Sequence, residues 1–336
     1  MTTHTPFATA VIQHPPVFMN LDASIDEAIR HIDSAAKSGA RLVVFPETWL
    51  PGYPVWLDYA PNAGLWDHPP AKAMFKTLFD NSPTIDGPEI ARLSAAVKKA
   101  GVYVVMGLNE KERGTLYNSM LFLTPSQSEP LVHRKLIPTY TERLVWGRGD
   151  GSTLAAMQTD FGPVGGLVCW EHWMPLARAA MHGLQETIHI AQWPMVKEMH
   201  QIASRHYAFE GQCFVVAAGC VLSIQDMHDG LTSIKADPRA FQLLEGIKDP
   251  TETLLLRGGS AIIAPSGDYL AEPVYDKPAI ITAELNPDLL VEGRLFLDTD
   301  GHYSRPDVFQ LTVNDQTQNR ISYQSAKKKP TEGNGE

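Results

Sequence analysis

Three ionisable side chains of unlike type stand at corresponding places along this 336-residue chain. Glu47 closes the apolar run LVVFPE, Lys135 sits in LVHRKLIPT just past an apolar pair, and Cys169 ends GGLVC and precedes WEHWMPLAR. Each falls at the expected C-terminal end of a strand or in the first loop residues beyond it, where open α/β sheets build their binding sites. Singly, each has a bland reading: a solvated loop glutamate, a surface lysine, a cysteine acting as a small inert hydrophobe. Cys213 and Cys220 fit that last reading, because they flank the apolar FVVAAG segment with no charged neighbour. Cys169 differs, since a helix start is expected after it. Helix N–H groups and an ammonium facing its sulfur would favour the thiolate and make it a usable nucleophile. Its base could be a histidine, of which the chain has 12, but His172, three residues on, has no required spacing. A glutamate serves equally when burial raises its pKa towards neutrality. Lys135 would then stay protonated and stabilise charge developing on substrate nitrogen or oxygen. The set suits addition of a thiol to an electron-poor carbon bonded to nitrogen.

The elements that must position these groups alternate between strand and helix. Phe7 to Gln13 reads as a buried strand, followed by a helix with Ser24 and Glu27 spaced as a capping box. Leu21, Ile25, Ile29 and Ile32 form its apolar face, and Gly39 stands where a helix end favours a left-handed residue. Leu42 to Phe45 is a short buried strand halted by Pro46. Pro88 opens a second helix with Ile90, Leu93 and Val97 inward, closed by Gly101. Val102 to Leu108 and Leu116 to Leu123 are expected to pair, Gly165 to Val168 precedes a helix near Pro175, and Phe214 to Ala218 and Ser260 to Ala264 add strands. Gly267-Asp268 offers a hairpin turn to Tyr269 to Ala271. Such alternation predicts a layered α/β architecture. Beyond about Asn286 the pattern loosens, and residues 325–336 form a polar tail expected to be disordered.

Composition narrows the partners. With 44% hydrophobic residues the chain can bury a large core, and its net charge of −10 offers no basic face for nucleic acid or an anionic membrane. Three cysteines cannot staple a chain this size, which suggests a reducing cytoplasm. No secretory leader is visible at the N-terminus, and the apolar stretch Cys213 to Leu222 is about half of what a membrane span needs. His172, His182, His189, His200 and His206 could be read as metal ligands. Neither an H-E-x-x-H nor a paired C-x-x-C pattern accompanies them, so no metal or cofactor is expected.

The segments FPETWLPGYP, HRKLIPTYTERLVWGRGDG and CWEHWMPLAR, followed in order by HIAQWP, SRHYAFEGQCFV, GGSAIIAPSG and GHYSRPD, resemble the nitrilase branch of the carbon-nitrogen hydrolase superfamily over roughly residues 7–312. The resemblance implies a four-layer α-β-β-α sandwich and a Glu–Lys–Cys triad at Glu47, Lys135 and Cys169, with Glu142 as an assisting carboxylate. It implies hydrolysis of an organic nitrile to the carboxylic acid and ammonia through a Cys thioimidate and thioester. A cyanide hydratase or dihydratase would share every one of these residues. An amidase of the same superfamily is a further alternative, against which the Trp170-Glu171 pair argues. A catalytic domain over residues 1–285 and a C-terminal arm over 286–324 at a subunit interface are expected, with homo-oligomerisation. All seven tryptophans lie between Trp49 and Trp193, with Tyr53, Tyr59 and Tyr140 among them. They would either wall an apolar pocket, with Tyr53, Trp170 and Trp193 as substrate contacts, or pack loops and an interface.

Overall fold

The computed structural model describes residues 5–126, 129–247, 254–318 and 321. The tail over 325–336 therefore lies outside the described residues. Among them the strands, in order, are β1 (Phe7–Gln13), β2 (Ala40–Val44), β3 (Tyr103–Glu112), β4 (Thr115–Leu123), β5 (Leu131–Arg134), β6 (Val164–Val168), β7 (Ile188–Gln192), β8 (Phe214–Ala218), β9 (Val221–Ser223), β10 (Leu254–Ile263), β11 (Tyr269–Tyr275) and β12 (Ala279–Leu285). The helices are α1 (Leu21–Lys37), α2 (Trp56–Tyr59), α3 (Pro69–Asp80), α4 (Pro88–Ala100), α5 (Pro175–His182), α6 (Glu198–Gly211), α7 (Ile224–Ser233), α8 (Pro238–Glu245) and α9 (Asp288–Gly293).

Two mixed sheets result. One runs β12-β1-β2-β3-β4-β5 and the other β11-β10-β8-β7-β6, with β9 paired to β10. The pairs β1–β2, β2–β3, β6–β7 and β7–β8 are parallel; antiparallel strands flank the parallel block on both sides in the first sheet and on the β8 side only in the second, where β6 is the edge. Parallel strands need both faces covered, which is why β6, β8 and the Leu42–Val44 stretch of β2 read as unbroken apolar runs. Strand alternation divides the first sheet between two cores. Ala10, Ile12, Val43, Val104, Met106 and Leu121 face the helical layer of α1 and α4. Val11, Leu42, Val44, Val105, Met120 and Phe122 face the second sheet, against Leu167 and Ile190. With α5 and α6 covering the far side of that second sheet, the layers stack α-β-β-α.

Local chemistry explains the helix limits. Asn20, not Ser24, caps α1: its side chain accepts the Ala23 N–H at 3.1 Å. The Ser24–Glu27 capping box expected from the sequence does not form, because the helix begins a turn earlier and Ser24 is buried inside it. The Ser24 hydroxyl donates instead to the Val17 carbonyl at 3.0 Å. Pro88 opens α4, and Gly101 ends it at φ +70°, a left-handed conformation that costs glycine nothing.

Candidate active site

Glu47, Lys135 and Cys169 arrive at one place from three strand ends. Glu47 lies in the loop after β2, and that loop is laid along β3 by backbone bonds from Phe45 N–H to Val105 O (2.8 Å) and from Leu50 N–H to Gly107 O (3.0 Å). Gly107 permits this approach, since a Cβ there would overlap the Pro46 carbonyl and the Thr48 N–H. Lys135 follows β5; its N–H donates to the Asn118 carbonyl at 2.8 Å and its carbonyl accepts from Gly149 at 2.9 Å. Cys169 directly follows β6 at φ +54°, and Thr48, next to Glu47, stands at φ +43°. Left-handed backbone costs a non-glycine residue about 1–3 kcal/mol and persists where the surroundings over-determine it.

A carboxylate oxygen of Glu47, one of Glu142 and the Cys169 sulfur all lie within 4.8 Å of one another. Lys135 Nζ donates to Glu142 Oε2 at 2.7 Å and to Glu47 Oε1 at 3.3 Å, and all four residues are buried. Asn118 Nδ2 donates to the same Glu47 oxygen at 2.6 Å. The other oxygen, Oε2, is buried with no hydrogen-bond partner, leaving it free to take a proton. Burial and the nearby Glu142 raise the Glu47 carboxyl to about 7, with Lys135 and Asn118 opposing them. For Lys135 burial alone would depress the ammonium, but the facing Glu47, Cys169 and Glu142 outweigh it and hold the group above the ordinary lysine range. Glu142 is fixed on both sides, accepting from the Tyr53 hydroxyl at 3.0 Å and from the Thr139 N–H at 2.6 Å.

Cys169 opens a single 3₁₀ turn, Cys169–Trp173, and the helix expected near Pro175 follows it as α5. Burial first, then Glu47, push its thiol well above the ordinary range, although Lys135 and the Trp170 N–H pull it down. The resting thiol is therefore neutral and must lose its proton during reaction, which is what an unencumbered carboxylate oxygen nearby can arrange.

The site opens into a cavity of about 500 Å³, walled by Tyr53, Glu142, Cys169, Trp170, Met195 and His200 among others. Glu47 and Lys135 lie behind that wall. Trp170 is half exposed at the cavity. Trp193 is fully buried and does not line it; its ring stacks on His200 and His172, at centroid distances of 4.4 and 4.6 Å. A tryptophan beside the cavity thus backs a wall residue, a distinction that sequence proximity to HIAQWP could not make. A larger groove of about 1130 Å³ between α4 and β3 shares no residue with this cavity, and its Arg134 is already paired with Glu110 and Glu112.

The donors of Glu47, Glu142 and Cys169 are close enough to hold a metal ion. The Lys135 ammonium already bonds to both carboxylates, so a divalent cation would have to displace it.

Sequence reasoning missed two supports. Asn118 had only a weak signal, an amide in the middle of the apolar strand LYNSMLFL, where a buried polar group must find a partner. Glu171 ties the nucleophile turn to the lysine loop by accepting from Val168 N–H (2.7 Å), Leu136 N–H (2.8 Å) and His133 Nε2 (3.0 Å). Burial would raise the Glu171 carboxyl, but His133 and these N–H groups hold it below its ordinary value. The T-x-x-E spacing of Thr139 and Glu142 is a capping-box pattern, an unread signal for the bond by which Glu142 reaches back to the Thr139 N–H.

Known proteins resemble this chain in sequence and in fold. The carbon-nitrogen hydrolase family matches residues 8–294. The chain is 35% identical to an aliphatic nitrilase of Sinorhizobium fredii, covering 94% of this chain and 98% of that one. It is 38% identical to a bifunctional nitrilase/nitrile hydratase of Oryza sativa subsp. japonica, covering 96% of this chain and 88% of the relative. The fold is that of a carbon-nitrogen hydrolase from Helicobacter pylori, with a TM-score of 0.66 at 21% identity over 90% of this chain and 97% of that one. With its three strand ends converging on one buried sulfur and its relatives matched nearly end to end, the chain belongs to the carbon-nitrogen hydrolase family.

Proposed function

We propose that this protein is a nitrilase, hydrolysing an organic nitrile to its carboxylic acid and ammonia. The observation that carries the reading is the packing of a carboxylate with one free oxygen, a held ammonium and a thiol around a cavity of about 500 Å³. Glu47 accepts the Cys169 proton as the sulfur attacks the nitrile carbon, giving a covalent thioimidate. The nitrogen, gaining electron density, is protonated from Glu47 and stabilised by Lys135. Water, deprotonated by Glu47, adds to the thioimidate carbon, and expulsion of ammonia leaves a thioester. A second water releases the acid and returns the thiol. If the tetrahedral intermediate expels the thiol instead, an amide leaves, an outcome that the name of the rice relative describes for that protein. Glu142 orients Lys135, and Tyr53 holds Glu142.

The cavity is far larger than cyanide requires, which favours an organic nitrile. The three cysteines, all unpaired and buried, suit a reducing cytoplasm. Among the described residues no helix is long and apolar enough to cross a membrane. Beyond residue 285 we place a C-terminal arm at a subunit interface, because Leu295, Phe296, Tyr303 and Phe309 are each more than half exposed there.

Ammonia release across aliphatic, aryl and arylacetonitrile substrates, with cyanide and the matching amides alongside, tests the reading. Nitrile turnover that disappears in Cys169→Ala is expected. Amide turnover greatly exceeding nitrile turnover, or turnover of cyanide alone, would overturn it.

A further inference from the structure

The nucleophile's carbonyl is held by a buried chain of groups that the chemistry above does not use. His172 Nδ1 lies 2.7 Å from the Cys169 carbonyl oxygen, and His172 Nε2 lies 3.0 Å from His189 Nε2. His189 Nδ1 is 2.6 Å from Glu186 Oε2, and the Tyr207 hydroxyl is within 3.3 Å of both Glu186 oxygens. All four side chains are buried.

The direction of these bonds follows from what each atom can do. A carbonyl oxygen only accepts, so His172 Nδ1 carries the proton and donates. Burial, with His189 beside it, holds His172 neutral by depressing its pKa to about 3, so Nε2 is an acceptor. His189 must then donate from Nε2. Burial, then His182, also depresses His189, which makes its Nδ1 an acceptor. Glu186 completes the chain only as the protonated acid, and burial raises its carboxyl to about 8. The groups facing it are His182 of α5, His189 of β7, Tyr207 of α6 and Cys213 before β8. Arg294, Asp298 and Asp300 share a small cavity of about 50 Å³ with it.

We propose that His172, His189 and protonated Glu186 are positioning residues that clamp the Cys169 carbonyl and thereby aim the Trp170 N–H at the nucleophilic sulfur. The carbonyl of Cys169 and the N–H of Trp170 belong to one planar peptide group, so fixing one fixes the other. The Trp170 N–H is among the groups that draw the Cys169 thiol towards its thiolate. The clamp also secures a residue at φ +54°, where an unheld peptide could rotate. Ionised Glu186 would draw the His189 proton to Nδ1 and set two lone pairs, on the Nε2 atoms of His189 and His172, against each other. The role rests on Cys169 being the nucleophile.

Neutron diffraction of deuterated wild-type protein near neutral pD reads the chain without any substrate. It should place deuterons on His172 Nδ1, His189 Nε2 and Glu186. A deuteron on His172 Nε2, or on His189 Nδ1 with Glu186 bare, overturns the assignment. Kinetics give the second readout. In Glu186→Gln the amide donates to His189 and accepts from Tyr207 at every pH, so the rate near pH 7 should stay within about twofold of wild type. Wild-type kcat should fall as pH rises through about 8, and in Glu186→Gln that fall should vanish. Glu186→Ala should lower kcat and the rate of Cys169 alkylation by iodoacetamide about tenfold to hundredfold, with KM little changed. A Glu186→Gln pH profile superimposable on wild type, or a folded Glu186→Ala variant with wild-type alkylation, contradicts the clamp. Were no nitrile turned over at all, the nitrilase reading would fall, while the deuteron positions and alkylation rates would still judge the clamp.

Discussion

Glu47 and Cys169 are each poorly suited to ionisation where they stand, and that shared reluctance makes them a working pair. Burial lifts the carboxyl to about 7 and lifts the thiol further, so the proton passes from sulfur to carboxylate only when attack makes the transfer worthwhile. The sign of the pH dependence follows. Below about 7 Glu47 is protonated and cannot accept, so kcat/KM should fall about tenfold per pH unit on the acid side, and Glu47→Gln should abolish the limb together with the activity. A flat profile down to pH 5 would remove Glu47 as the base. Glu142 tests the second carboxylate. In Glu142→Gln the amide oxygen can keep the Lys135 and Thr139 bonds while the amide N–H donates to Tyr53, so the protein should remain folded. Losing the charge that orients Lys135 should lower kcat by about a hundredfold with an unchanged circular-dichroism melt; near-normal kinetics would remove Glu142 from the site.

At the level of elements, the ends of β2, β5 and β6 deliver the three groups. The runs of β2 and β6 were legible because parallel strands buried on both faces lose the polar alternation of an exposed sheet, whereas β5 is a short antiparallel edge strand with no such run. Leu42 to Phe45, Gly165 to Val168 and Phe214 to Ala218 differ from the observed strands by at most a residue or two at each end. The α1 start was misplaced, since Asn20 and Ser24 are both good cap residues and only the docking of the Phe18 segment chooses between them. Less legible was everything lateral. Nothing local in the sequence says that Asn118 of β4 will meet Glu47, or that Glu171 will bridge to Leu136, because those contacts depend on how strands pair and how sheets face. The same lateral packing makes a prediction at Gly107. Adding a methyl there must push away the backbone that carries Glu47, so Gly107→Ala should lower stability by about 1–3 kcal/mol and depress kcat as well. Urea titration and steady-state kinetics on the same preparation check it; unchanged values in both would mean that the Glu47 loop yields without consequence.

The whole molecule presents apolar surface that its own core does not use. Leu176 on α5 and Met199, Ile202 and Phe209 on α6 are exposed on the helical layer outside the second sheet, and the segment after residue 285 adds further exposed rings. A monomer seldom leaves such area to water, so subunit pairing through these faces is the expected remedy. Truncation after Gly293 or the change Phe209→Asp should shift the sedimentation profile to smaller species, with the far-ultraviolet spectrum unchanged. A wild-type chain that sediments as a 37.1 kDa monomer at micromolar concentration would refute the pairing. Composition had hinted at none of this, because total apolar content does not say which residues remain outside. The proposed chemistry turns on one covalent bond, between Cys169 and the carbon of a nitrile. Rapid acid quench during turnover, followed by peptide mass spectrometry, tests it directly. The Cys169 peptide should gain the full mass of the nitrile as the thioimidate, or the acyl mass as the thioester, while those of Cys213 and Cys220 stay unmodified. Ammonia release with no adduct on Cys169, or an adduct on either other cysteine in its place, would contradict it.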